Sequence, residues 1–190
     1  RETAARVAAG GIAKELLGAL GVEVFSYVCR IGSAAMEDEV SLADIASYTP
    51  TDIELSDVRC PSPEASEKMK GMIDVARIQG ESLGGEFRVV ATGLIPGLGD
   101  FASGPSRLTA RIGQALFSIP AIKGVEFGLG FKAAALSGSA VHDPIIQSTR
   151  SGFGRTSNNA GGLEGGMTTG LPLVVTAAMK PIPTLRNPLA

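Results

Sequence analysis

Charge is scarce in this chain. Asp, Glu, Lys and Arg make up 19% of its 190 residues, against roughly 25% in an ordinary soluble domain, and the mean hydropathy is +0.22. So little polar surface predicts a core supplemented by an oligomer interface. It does not predict a membrane span: the longest apolar stretches, such as Leu171 to Met179, are broken by Pro172 and Thr176 and fall short of the roughly 20 residues a bilayer crossing needs. Runs of Lys or Arg and interleaved aromatics are missing and the net charge is −2, which excludes the electrostatic footprint of a nucleic-acid binder. Trp is absent, and His142 is the one histidine. Cys29 and Cys60 stand 31 positions apart without metal-type spacing, so zinc sites and Ser/His catalysis have no support. With no signal peptide ahead of them, free thiols in a reducing cytoplasm are expected.

Glycine is what the chain has instead: 25 of 190 residues, nearly twice the usual share of about 7%. The densest stretch, Asn158 to Gly170, holds Gly161-Gly162 and Gly165-Gly166. It strips side chains from the backbone, as a chain does where a ligand or another backbone must come close. Met179-Lys180-Pro181-Ile182-Pro183-Thr184 does the opposite. Two prolines restrict φ and the residues before them, so Lys180 and Thr184 present an ammonium and a hydroxyl from a pre-ordered segment suited to a phosphate or carbonyl oxygen. Tight turns between buried strands are the alternative for both stretches.

The length predicts one domain, residues 1–190. Apolar residues at helical spacing from Thr3 to Leu20, closed by Gly21, predict a first helix whose many Ala and Gly suit a central position. Val22 to Ile31 reads as a strand. Residues 33 to 60 lack a period and read as a partly exposed excursion. Ser62-Pro63-Glu64 announces a second helix, carried by Met69, Met72, Ile73 and Ala76 and ended by Gly80. Glu86 to Thr92 is a second strand, and Ser106 to Pro120 a third helix with Leu108, Ile112, Ala115, Leu116 and Ile119 on one face. Val125 to Ala133 is a third strand, and Leu136 to Asn159 reads as a mobile surface loop. This order predicts an α+β fold of helices and antiparallel strands in layers, since no Rossmann-type βαβ series occurs.

Candidate chemistry is thin outside the two terminal segments. His142 is matched to proton transfer at neutral pH, but its setting reads as a plain surface histidine. Gly97-Leu98-Gly99-Asp100 lacks both the full dinucleotide pattern and the P-loop ending, so a structural turn is the reading. Glu64, Glu67, Asp74 and Glu81 form the solvated face of the second helix. Arg1 stands at a helix entrance, where backbone N–H groups also favour anions; an anion contact and a bystander remain open.

Arg1-Glu2-Thr3-Ala4-Ala5-Arg6-Val7-Ala8, Cys60-Pro61, Gly80-Glu81-Ser82-Leu83-Gly84-Gly85, Ser118-Ile119-Pro120-Ala121-Ile122-Lys123-Gly124-Val125-Glu126, Asn159-Ala160-Gly161-Gly162 and Lys180-Pro181-Ile182-Pro183-Thr184 resemble chorismate synthase in order and spacing, across essentially the whole chain. The resemblance implies an α+β sandwich and a cytoplasmic homotetramer of the shikimate pathway, which leads to the aromatic amino acids. The activity implied is that of a lyase, the 1,4-anti elimination of phosphate from 5-enolpyruvylshikimate 3-phosphate to give chorismate, with reduced FMN and no net redox change. Pro120, Ala121, Gly165, Lys180, Pro181, Ile182, Pro183 and Thr184 match flavin-contacting positions, and Arg1 matches a substrate-binding arginine. The family's two catalytic histidines precede the position of Arg1, and His142 matches neither. The expectation is therefore a central portion of such an enzyme, without catalytic residues of its own and inactive alone. Two departures stand out: Thr176 where the family usually has arginine, and Thr109 where it has aspartate. The alternative is a non-catalytic phosphate-ligand binding or oligomerisation module.

Overall fold

Burial alternates along β1 (Glu23–Ile31), with Phe25, Tyr27 and Cys29 buried between half-exposed neighbours; that alternation assigns one face of a sheet to a core. The computed structural model describes residues 2–36, 41, 45, 47–148 and 152–186. In it β1 joins β2 (Ala34–Ala35), β3 (Gly85–Thr92), β4 (Ile122–Phe127) and β9 (Leu173–Met179) in a five-stranded sheet of order β2-β1-β3-β9-β4, every pairing antiparallel. Directly paired residues share a face, so Tyr27, Arg88, Thr176 and Glu126 form one cross-strand row, and Phe25, Val90 and Val174 form another on the same side.

Helices cover that side unequally. α2 (Pro50–Leu55) and α3 (Pro63–Gln79) press Ile53, Ala65 and Met69 onto Phe25, Tyr27, Val90 and Val174. The stretch read as an exposed excursion contributes Met36, Ile45, Ile53 and Cys60 to this core; it lacks a period because it inserts single anchors rather than one continuous face. α3 begins and ends where its capping residues stand. Ser62 Oγ accepts the Ala65 N–H, Pro63 occupies the first turn, and Gly80 closes the helix at φ 72°.

The opposite face carries Val89 and Val175 under α1 (Glu2–Ala19) and α4 (Leu108–Phe117), the latter entered through a 3₁₀ turn at Gly104–Ser106. Between them lies an apolar cavity of about 470 Å³ lined by Leu17, Val89, Leu108, Ile112, Leu116 and Val175. The expectation of a central first helix fails within this chain: no residue of α1 is buried, and Val7, Ile12 and Leu16 are 66–76% exposed. An Ala- and Gly-rich helix has little side chain to fill the gap beneath it, and of its large residues Leu17 reaches the cavity while Val7, Ile12 and Leu16 face outward.

Two further expectations are corrected. The strand expected to reach Ala133 stops at Phe127, because the backbone turns through the left-handed region at Gly128 and Gly130 into a 3₁₀ helix, Gly130–Ala135. The segment read as a mobile loop holds a short helix α5 (Gly138–Val141) and a hairpin of β5 (Ile145–Ser148) and β6 (Gly152–Arg155). It is pinned by buried Asp143, whose carboxylate accepts from the Ser157 hydroxyl and from the N–H groups of Asn159 (2.7 Å) and Ala160 (3.0 Å). A last hairpin, β7 (Leu163–Glu164) with β8 (Met167–Thr168), absorbs the glycine-rich run. The fold is α+β, as the order of elements predicted.

Two measurements test this packing. Met69 is fully buried, so Met69→Ala should cost about 2–5 kcal/mol in denaturant unfolding. Burial pushes the Cys29 thiol up from 9.0 to about 11, against the opposing pull of Arg88 and Arg30. Because the folded thiol ionises later than the unfolded one, its stabilisation is complete below pH 9 and is lost as pH climbs through 11. A loss on the order of 2–3 kcal/mol over that window should be absent in Cys29→Ala.

Candidate functional site

The site begins where α4 ends. Ser118 N–H still bonds back to Gln114, but Pro120 has no N–H to give, and Ala121 then adopts φ 70°. An L-residue in the left-handed region pays on the order of 1 kcal/mol and stays there only where the surroundings hold it. What holds it is β9: the Ala121 carbonyl accepts the Lys180 N–H at 3.0 Å, and Ile122 pairs with Met179 in the next register position. The kink thus turns the chain from α4 into β4 directly against Lys180.

The Lys180–Thr184 segment leaves the sheet over the Gly80–Gly85 turn. Ser82 Oγ donates to the Ile182 carbonyl at 2.6 Å, and Arg186 N–H reaches the Gly80 carbonyl at 3.3 Å. At Gly84 a Cβ would meet the Met179 carbonyl oxygen at 2.6 Å and Pro181 Cδ at 3.0 Å, so only glycine admits the segment this closely. Pro120 and the side chains of Lys180, Pro181, Ile182, Pro183 and Thr184 are exposed. The corner therefore offers a cation, a hydroxyl and a braced backbone to a ligand arriving from solvent.

Gly165 lies elsewhere. It is the tip of the β7–β8 hairpin at φ 60°, and a Cβ there would meet nothing within 4 Å, so a flat ligand can approach its backbone. The hairpin is seated on the start of α4 by Leu108 N–H to the Gly166 carbonyl (3.0 Å), and on the Gly97–Asp100 turn through a Gly99–Met167 bridge. Thr168 Oγ1 accepts the Leu98 N–H and donates to the Ile95 carbonyl, so that turn is structural, as expected. The structure brings Pro120 and Ala121 together with Lys180–Thr184 and sets Gly165 off by the length of α4, about 15 Å. A ligand touching both must extend over a comparable distance.

Arg1 lies outside the described residues. Arg6, one turn further along α1, is ion-paired with Glu2 and donates to Ser118 Oγ at 2.7 Å, two residues before Pro120; its helical spacing hid this long-range contact. Thr176 is buried, and its hydroxyl accepts from Arg88 Nε at 3.2 Å; Arg88 also donates to the Tyr27 hydroxyl and stands 5.9 Å from that ring's centroid. A guanidinium therefore sits directly across from Thr176 on the adjacent strand, a placement visible only once β3 and β9 are in register. Thr109 is half-buried in the first turn of α4. His142 is exposed beside the Asn159 loop, which bonds to Leu129 just past the far end of β4 from Lys180. Among the described residues no group of three or more His, Cys, Asp or Glu side chains is arranged to hold a metal, and no helix is long and apolar enough to cross a membrane.

Residues 1–190 match the family model described as "Chorismate synthase". The chain is 53% identical over 190 residues to a chorismate synthase of Rubrobacter xylanophilus, of which it covers 47%. It is 49% identical over 195 residues to that of Aquifex aeolicus, again covering 49% of the relative's length. Both alignments use all of this chain, which thus spans about half the length of the curated relatives it matches. A solved structure described as "Crystal Structure of Chorismate Synthase" superposes with a TM-score of 0.91 at 47% identity, over 96% of this chain and 56% of that one.

The strain at Ala121 and the contact at Gly84 are separable by substitution. Ala121→Gly relieves the left-handed penalty and loses some unfolded-state advantage, so it should leave stability unchanged or raise it by up to about 1 kcal/mol. Gly84→Ala forces Met179 and Pro181 to shift and should cost about 1–3 kcal/mol, both read from chemical denaturation midpoints.

Proposed function

This chain belongs to the chorismate synthase family, and on that premise we propose that its Lys180 corner forms one wall of a reduced-FMN site serving the elimination of phosphate from 5-enolpyruvylshikimate 3-phosphate to chorismate. The observation that carries the reading is Ala121, held in the left-handed region by its bond to Lys180 N–H beside an exposed ammonium. Strain kept at a solvent-open corner has a use when it aims backbone and cation at a ligand.

Bound there, reduced flavin supplies electron density that assists departure of the 3-phosphate. The chain's own residues bind and orient. Lys180 offsets anionic charge on the cofactor, and the Thr184 hydroxyl adds a hydrogen bond from the same braced segment. Pro120, Pro181, Ile182 and Pro183 shape the apolar side of the wall against the ring, and Gly165, at the other end of α4, lets the phosphate-bearing end of the cofactor lie against open backbone. Arg1 takes the substrate's negative charge. The single histidine of the sequence, at the far end of β4, has no part in this wall, so the chain contributes binding and not proton transfer. In this reading residues 1–190 act as one domain within a cytoplasmic homotetramer.

A second reading, an oligomerisation module, draws on the uncovered apolar residues of α1 and the cavity beneath it. Fluorescence titration with FMN separates the two. The flavin reading expects saturable binding weakened about tenfold, or roughly 1.4 kcal/mol, by Lys180→Ala. Binding that is absent, or indifferent to Lys180, leaves that lysine a structural strand end, and sedimentation then tests the second reading.

A further inference from the structure

Arg155 closes β6 on the partly buried side of the hairpin tip that carries Gly165. One guanidinium nitrogen donates to the Asp143 carbonyl at 2.9 Å, and the other pairs with Glu164 Oε2 at 2.6 Å. The Arg155 side chain is 16% exposed and that of Glu164 43%, so the arginine is sheltered while the acid faces outward. Its anchorage is firm on the inner side: Asp143, whose carbonyl it grips, fixes the Asn159 and Ala160 amides that lead into the glycine run. Only a planar fork makes both contacts at once.

Glu164 immediately precedes Gly165. Left alone, its carboxylate would stand beside an open backbone surface and repel at short range any anion approaching it. We propose that Arg155 is a positioning residue of the hairpin wall, holding Glu164 back against the Asp143 clamp and cancelling its charge so that Gly165 can accept an anionic ligand. The inference rests on the reading of Gly165 as part of a flavin mononucleotide site; the ligand class is a phosphate-bearing flat heterocycle.

The test is titration of the full chain with FMN and with riboflavin, which shares the ring and lacks the phosphate. Arg155→Gln should weaken FMN about tenfold and riboflavin less than about threefold, and adding Glu164→Gln should return FMN to within about threefold of the parent. Rescue by removing the acid is not what a purely structural arginine would show. Should Arg155→Gln fail to fold, Glu164→Gln alone decides: FMN should bind about threefold or more tighter, and unchanged or weaker binding overturns the inference. Unchanged FMN affinity in Arg155→Gln, or a double variant no better than the single, overturns it while leaving the flavin reading standing. A parent chain that binds no FMN overturns both.

Discussion

The pairing of β9 with β3 on one side and β4 on the other is the constraint on which the rest of the molecule depends. Residues 173–179 find partners about ninety positions upstream in β3 and about fifty upstream in β4, contacts that repay their loop-closure entropy only when the whole sheet forms. Their register decides which residues meet. Because Met179 pairs with Gly85 and with Ile122, the next residue reaches the Ala121 carbonyl, and the candidate site follows from that one alignment. A slip of one position would carry Thr176 to the cavity side of the sheet and bring Val175 or Ala177 against Arg88, so both faces oppose it.

Those two faces are built differently. The side under α3 is a packed core in which Tyr27, Met69, Val90 and Val174 are fully buried, with the Arg88–Thr176 contact closing its polar end. The other side holds a cavity, and the helix above it exposes Val7, Ile12 and Leu16. The shortage of charge in the composition therefore appears as apolar surface on the helix side as well as in the core, in a chain that covers about half the length of its relatives.

Much of the local structure was legible. Ser62, Pro63 and Gly80 bounded α3 because each satisfies or terminates specific backbone groups at a helix end. β1 showed through its apolar and aromatic content, and the resemblance of six separated motifs identified the family. The fate of residues 136–159 was not legible, since the order there comes from one carboxylate accepting from groups 14 to 17 residues away. Nor was Ala121: nothing in a Pro-Ala-Ile triplet announces a left-handed alanine, which exists because a distant strand holds its carbonyl.

By itself the sequence determined where the three long helices start and stop, the layered α+β class, and the glycine and Lys-Pro segments from which a ligand wall could be built. These are local matters of capping, periodicity and permitted φ, settled by residues within a turn of one another. Tertiary structure alone decided that Pro120 and Ala121 share a corner with Lys180 while Gly165 sits a helix length away, and that a guanidinium faces Thr176. Those outcomes are set by cross-strand register and by hydrogen bonds between residues far apart in the chain, which no local pattern encodes.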